Sequence, residues 1–158
     1  MNKVVLKTAI AVALFASAST HVFAGDCPKD QATTGAFLPG ETKAKDVTDD
    51  VISTVDLSSK GKAFKGFMLR VRKLVVQPGG IVPLHKHDIR AANIYILEGE
   101  ITEYRTTCKV PLVHKAGDVT AEFGADLSHW WRNDSTKPTI ILSSDLLPPE
   151  MVKTHEMM

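Results

Sequence analysis

The chain reads as an all-β domain, a sandwich or small barrel. Three observations predict this. The mature part breaks into many short runs rich in β-branched and aromatic residues. Those runs are punctuated by Gly, Pro and Asp at close intervals. No stretch outside the first two dozen residues repeats its apolar positions at helical spacing over a useful length.

In chain order, Lys3 and Lys7 precede an apolar run from Thr8 to Ala16, and Val22-Phe23-Ala24 is a small-residue cleavage site before Gly25. The run is too short to span a bilayer. Residues 1–24 therefore read as a secretory signal, which predicts a periplasmic or secreted protein with no membrane attachment after cleavage. Losing Lys3 and Lys7 moves the formal charge from +1 to −1, so nothing points to nucleic acid or an acidic membrane surface. Residues 25–49 are polar and Gly/Pro-punctuated, as in an arm over the surface. The barrel is expected over 50–147 and a loose Met-rich tail over 148–158.

Within the barrel, strands are expected at Val51 to Leu57 and Gly66 to Val76, with a turn at Pro78-Gly79-Gly80. Ala91 to Leu97 and Ile101 to Thr106 flank Glu98-Gly99-Glu100 as a hairpin. Further runs are Val110 to His114, Val119 to Phe123, Leu127 to Arg132 and Thr139 to Asp145. Edge apolar residues such as Val71, Val75 and Trp130 need covering, which predicts a homodimer. The two cysteines, Cys27 and Cys108, fit a disulfide in an oxidising compartment, which would contribute about 4 kcal/mol by loop closure; two separate thiols are the alternative.

The chemistry concentrates at His85-Lys86-His87. On a strand, alternate side chains share a face, so both imidazoles point the same way and can meet one metal ion. A polar stripe is the competing reading. The surroundings carry more. Gly79 is followed by five residues, His85-x-His87, four residues, Ala92, six residues and Gly99. This resembles the first motif of the cupin superfamily, except that the usual glutamate position holds Ala92. A second stretch resembles the second cupin motif, with Gly117, His129 and Asn133 in place. Phe123 and Ala125 replace its Pro and Gly, and His129 stands one residue late.

The resemblance implies a single double-stranded β-helix barrel, jelly-roll-like, with His85, His87 and His129 around a divalent metal, Fe(II) or Zn. With Ala92 at the carboxylate position, a three-histidine site is expected, as in the superfamily's three-histidine dioxygenases. Such a site would favour a small anionic or phenolic substrate, because neutral imidazoles leave the ion its full charge. A non-catalytic barrel holding a small ligand, with or without metal, is the alternative. Arg90 is a candidate partner for a substrate carboxylate, or a solvated loop residue. Trp131 shares the parity of His129 and either lines the cavity or packs; Trp130 faces the other way. His114 and His155 fall outside the motif frame and read as surface residues, and Glu98, Glu100 and Glu103 as a charged sheet edge.

Overall fold

A computed structural model describes residues 26–154; the expected secretory signal over 1–24 and His155 lie outside them. The described residues form eight strands: β1 (Lys45–Asp56), β2 (Met68–Lys86), β3 (Ala92–Glu98), β4 (Glu100–Arg105), β5 (Leu112–Lys115), β6 (Val119–Glu122), β7 (Ser128–Arg132) and β8 (Thr139–Leu147), followed by a short helix α1 (Pro149–Thr154). All pairings are antiparallel. Strand order along the sheet is β5-β4-β7-β2-β8-β3-β6, with β1 added on the free side of β2. The sheet curls into the barrel of a double-stranded β-helix.

Two boundaries differ from expectation. The first strand begins at Lys45, inside the predicted arm, because Val47 packs on the core while its backbone pairs with β2. The tail is not loose throughout, since Pro149–Thr154 is helical, with Pro149 against Gly66.

Strand β2 organises the sheet. Its first half pairs with β1 and β8, and its second half turns to pair with β7. The expected turn at Pro78-Gly79-Gly80 is instead a bend within one strand of 19 residues. Gly79 supplies the left-handed φ of +74° that the bend requires. The register then sets His85 opposite His129.

Inward and outward faces are partly inverted relative to a simple apolar-in pattern. On β2 the inward side chains are Arg70, Arg72, Leu74 and Val76, whereas Leu69 lies outside. On β4, β5 and β6 the buried positions include Glu103, Arg105, His114, Thr120 and Glu122. An apolar cluster of Leu74, Val76, Val82, Ile94, Ile96, Ile101, Trp131 and Ile141 fills one part of the barrel. The polar group fills the rest.

The arm is tied down. Cys27 and Cys108 are bridged (S–S 2.04 Å), and Ala32 pairs with Cys108. The backbone N–H groups of Thr33 and Ala36 donate to Thr107 and Thr106. The arm also covers Trp130, which stacks on Tyr104 at 3.9 Å while Phe37 meets Tyr104 edge-on. A Cβ at Gly40 would come within 2.5 Å of the Trp130 ring, so only glycine lets the arm pass this closely.

Candidate metal centre

Each imidazole is positioned by an acceptor on the side away from the others. His85 Nδ1 donates to the Pro83 carbonyl (2.8 Å), His87 Nδ1 to the Arg90 carbonyl (2.9 Å), and His129 Nδ1 to Glu103 Oε1 (2.5 Å). Carbonyl and carboxylate oxygens only accept, so these bonds place a proton on Nδ1, and in the neutral ring Nε2 is then the free lone pair. The Nε2 atoms of His85 and His129 then face each other at 3.1 Å. Two lone pairs this close repel unless a proton or a metal ion lies between them.

The fourth member is Glu122. One donor atom from each of His85, His87, His129 and Glu122 lies within 4.8 Å of the others. Glu122 Oε2 is 3.1 Å from His87 Nε2. Bonds of about 2.1 Å to one ion in octahedral coordination would put neighbouring donors ~3.0 Å apart, close to the 3.1 Å of the His85–His129 and His87–Glu122 pairs. His87 Nε2 and Glu122 Oε1 are both buried with no hydrogen-bond partner. The donor set is therefore shaped for a divalent first-row metal.

This corrects the expectation that the site lacks a carboxylate. Ala92 and Glu122 are directly opposite one another on β3 and β6. The carboxylate absent from residue 92 enters the same region from the adjacent strand. Glu122 thus stands as a fourth candidate donor beside the three histidines. In Val119-Thr120-Ala121-Glu122-Phe123, alternation puts Glu122 and Thr120 on one face, but only the closed barrel turns that face inward and leaves Val119 and Phe123 exposed.

Two further readings are overturned. His114 is fully buried, not at the surface, and donates from Nε2 to Glu103 Oε2 at 2.9 Å. Glu103 is fully buried, not at a sheet edge, and also accepts from Arg105 Nε at 2.8 Å. Both point inward because β4 and β5 present their polar alternates to the barrel. Glu98 and Glu100 are exposed.

The electrostatics follow from burial and partners. Burial depresses the basicity of His85 strongly and brings His87 down to about 3. Burial would raise Glu103, but the His114 and His129 hydrogen bonds outweigh it and hold that carboxylate well below its usual range. Burial pushes Glu122 up to about 7, offset in part by His129 and reinforced by Glu103. At His129 the same burial is outweighed by Glu122 and Glu103, so the ring is more basic than usual.

The structure brings His85, His87 and His129 together and points Trp131 into the same interior. Trp131 packs edge-on to His129 (centroids 5.6 Å) and lines a small cavity of about 30 Å³ with Arg72, Leu74, Val82, His85, His87, Ile94, Glu122, Ile141 and Ser143. The bend that absorbs the extra residue before His129 is held by Gly124 N–H to the His87 carbonyl and by His87 N–H to the Leu127 carbonyl. Arg90 lines a second, more open pocket together with Leu84 and His85. It is 1% exposed and its Nη1 lies 3.5 Å from Asp145 Oδ2.

Comparison with known proteins agrees with this architecture. Residues 72–145 match the family model described as a cupin domain. With the barrel topology above, this shows a cupin domain over residues 72–145 of the chain. Among solved structures, it is similar to a Cupin 2 conserved barrel domain protein from Salinispora arenicola (15% identity, 72% of this chain and 87% of that one, TM-score 0.50). It is also similar to the Cnp3 cupin domain of Schizosaccharomyces pombe (10% identity, 74% and 77%, TM-score 0.50). A protein from Acidithiobacillus ferrooxidans provisionally assigned as a sugar phosphate isomerase aligns at 18% identity over 51% of each chain, TM-score 0.47, so this chain spans about half its length. No curated protein matches. The two likenesses at TM-score 0.50 support the fold alone; the chemistry is argued from the site.

Proposed function

We propose that this is an exported, metal-dependent cupin whose ion is held by His85, His87, His129 and Glu122 and which acts on a small ligand in the adjoining cavity. The observation that carries the reading is the convergence of three Nδ1-protonated imidazoles and one buried carboxylate. Four protein donors would close a tetrahedral zinc site, whereas a six-coordinate ion would keep two positions open beside the cavity. Fe(II) is therefore the favoured occupant and dioxygenase chemistry the favoured reaction class. When bound, such an ion supplies a centre that activates dioxygen and a ligand held side by side.

The chain's own residues do the rest. Pro83 and Arg90 carbonyls and Glu103 orient the three rings, Glu122 supplies the only negative donor, and Trp131 with the apolar wall excludes bulk water. A non-catalytic ligand-binding barrel is the second reading, supported by the smallness of the cavity. Purification without added metal, followed by loading with iron, zinc, manganese or copper, decides the first point. Stoichiometric uptake of one divalent ion, lost in His129→Ala, is expected; an empty site under all four loadings would overturn the metal reading. Oxygen consumption by the iron-loaded protein with small carboxylates or phenols separates enzyme from binding module.

We also propose a homodimer through the outer sheet face. Val55 and Leu69 face each other across β1 and β2, and Tyr95 and Val119 across β3 and β6; their exposures are 51%, 41%, 38% and 55%. So much apolar surface on one face favours covering by a second copy. Sedimentation at micromolar concentration should show a dimer, and Leu69→Glu a monomer.

A further inference from the structure

We infer that the metal ion and its ligand reach the interior past His85, through the open pocket beside it, and that α1 gates this port with Met151. The part that concerns the ion rests on the metal-site reading above. Exposure marks the place. His87, His129 and Glu122 are each no more than 1% exposed, whereas His85 is only partly buried.

His85 is also the donor that stands in the wall of two spaces. One is the interior cavity of about 30 Å³; the other is a pocket of about 350 Å³ lined by Leu84, Lys86, Asp88, Ile89, Arg90 and Met151. The cavity holds little more than a few water-sized groups, so a larger ligand must keep its body outside. Entry elsewhere meets Leu74, Val82, Ile94, Trp131 or Ile141, all buried, and would have to part the close-packed core. A pocket of similar size at Gly99, Lys115 and Lys137 shares no residue with the metal centre.

Most of the port's wall is the end of β2 and the loop to β3, and that wall is fixed. His87 N–H donates to the Leu127 carbonyl, Gly124 N–H to the His87 carbonyl, and His87 Nδ1 to the Arg90 carbonyl, while Arg90 faces Asp145. Met151 is the lining residue that comes from a different element. The pairing of β8 with β2 ends at Leu147, so α1 can unwind from Pro149 onward without breaking a strand ladder. Isolated helices shorter than ~12–15 residues are marginal in water. With six residues, α1 depends on what it packs against. Its anchor is Pro149 at Gly66, where an added Cβ would meet the proline ring at 3.1 Å. Methionine is unbranched and flexible, which suits a side chain that fills an irregular gap and vacates it.

The test follows Co(II) by its visible absorption, as release from the loaded full-length protein to excess chelator and as uptake by the metal-free form. A chain ending at Pro148 should exchange roughly tenfold faster or more, and Met151→Ala several-fold faster. Because α1 supplies none of the four donors, release and uptake should rise together and leave the dissociation constant within about threefold. Ile96→Val, which weakens the core and lines neither space, should leave exchange unchanged. Met151→Ala carries the test if the shortened chain does not fold. Wild-type exchange rates in Met151→Ala would overturn the inference, and so would an equal acceleration in Ile96→Val. A wild type that takes up no metal would overturn the metal-site reading. The gate is then decided in the metal-free chains with diethyl pyrocarbonate, which acylates accessible neutral imidazoles. Peptide mapping should show faster acylation of His85 in Met151→Ala than in the wild type, with His87 and His129 unchanged; equal rates at His85 would overturn the gate.

Discussion

Replacing Glu103 by Gln tests how the site is held without touching a donor atom. Glu103 accepts from His129 Nδ1 at 2.5 Å, from His114 Nε2 at 2.9 Å and from Arg105 Nε at 2.8 Å. Its charge fixes the His129 proton on Nδ1, so that Nε2 stays free for the ion. Glutamine is the same size but neutral, and its amide nitrogen can only donate. If the amide turns that nitrogen to His129, the ring must reverse its tautomer and Nε2 is lost as a donor. A hydrogen bond to a charged group contributes about 1.5–3 kcal/mol. Removing the carboxylate behind a ligating histidine commonly costs 10–100-fold in metal affinity, or about 1.4–2.7 kcal/mol. The two ranges overlap, so the dissociation constant should rise by one to two orders of magnitude.

The assay is competition for Co(II) against a chelator of known affinity, with circular dichroism as a check that the barrel is folded. The cobalt absorption bands should change shape as well, because the donor strength of His129 changes; lost stability alone would not alter them. Glu103→Asp, which keeps the charge one methylene shorter, should recover part of the affinity. If Glu103→Gln keeps its affinity within twofold and its spectrum unchanged, the carboxylate does not orient His129 and the reasoning fails.

Three more outcomes follow from the same geometry. Glu122→Ala should reduce metal affinity at least 100-fold, and adding Ala92→Glu to it should restore much of the loss, since directly opposed residues on antiparallel strands bring their Cβ atoms to within about 5.5 Å; a double variant as weak as the single one would refute that equivalence. Because Glu122 has a pKa pushed up to about 7 and must lose its proton to bind an ion, uptake at pH 7 should release roughly half a proton from it, and affinity should fall as pH drops below 7. Calorimetry in buffers of different ionisation enthalpy measures this, and no proton release at pH 6 would contradict it. Reducing Cys27–Cys108, which are 81 residues apart, should lower stability by about 4 kcal/mol while leaving metal content unchanged, read by denaturant titration.

Much of the molecule was legible in the chain itself. Period-two alternation and closely spaced turn residues were enough for an all-β barrel, because a strand's local geometry is written in its own residues. His85 and His87 were legible for the same reason, being two residues apart on one strand. Cys27 and Cys108 were legible as a pair because there are no other cysteines to choose from. Glu122 was not legible as a metal donor. It stands outside the motif, and its place beside His87 depends on how β6 registers against β3. His114 and Glu103 were misread by the assumption that polar alternates face water. Here Arg72, Glu103, His114 and Glu122 face inward and Leu69, Tyr95 and Val119 face outward. Alternation along a strand is local, but which of its two faces lies inside is decided by closure of the barrel. Only the closed sheet sets the buried charges against partners from other strands, and only there do they become a site rather than a list of polar residues.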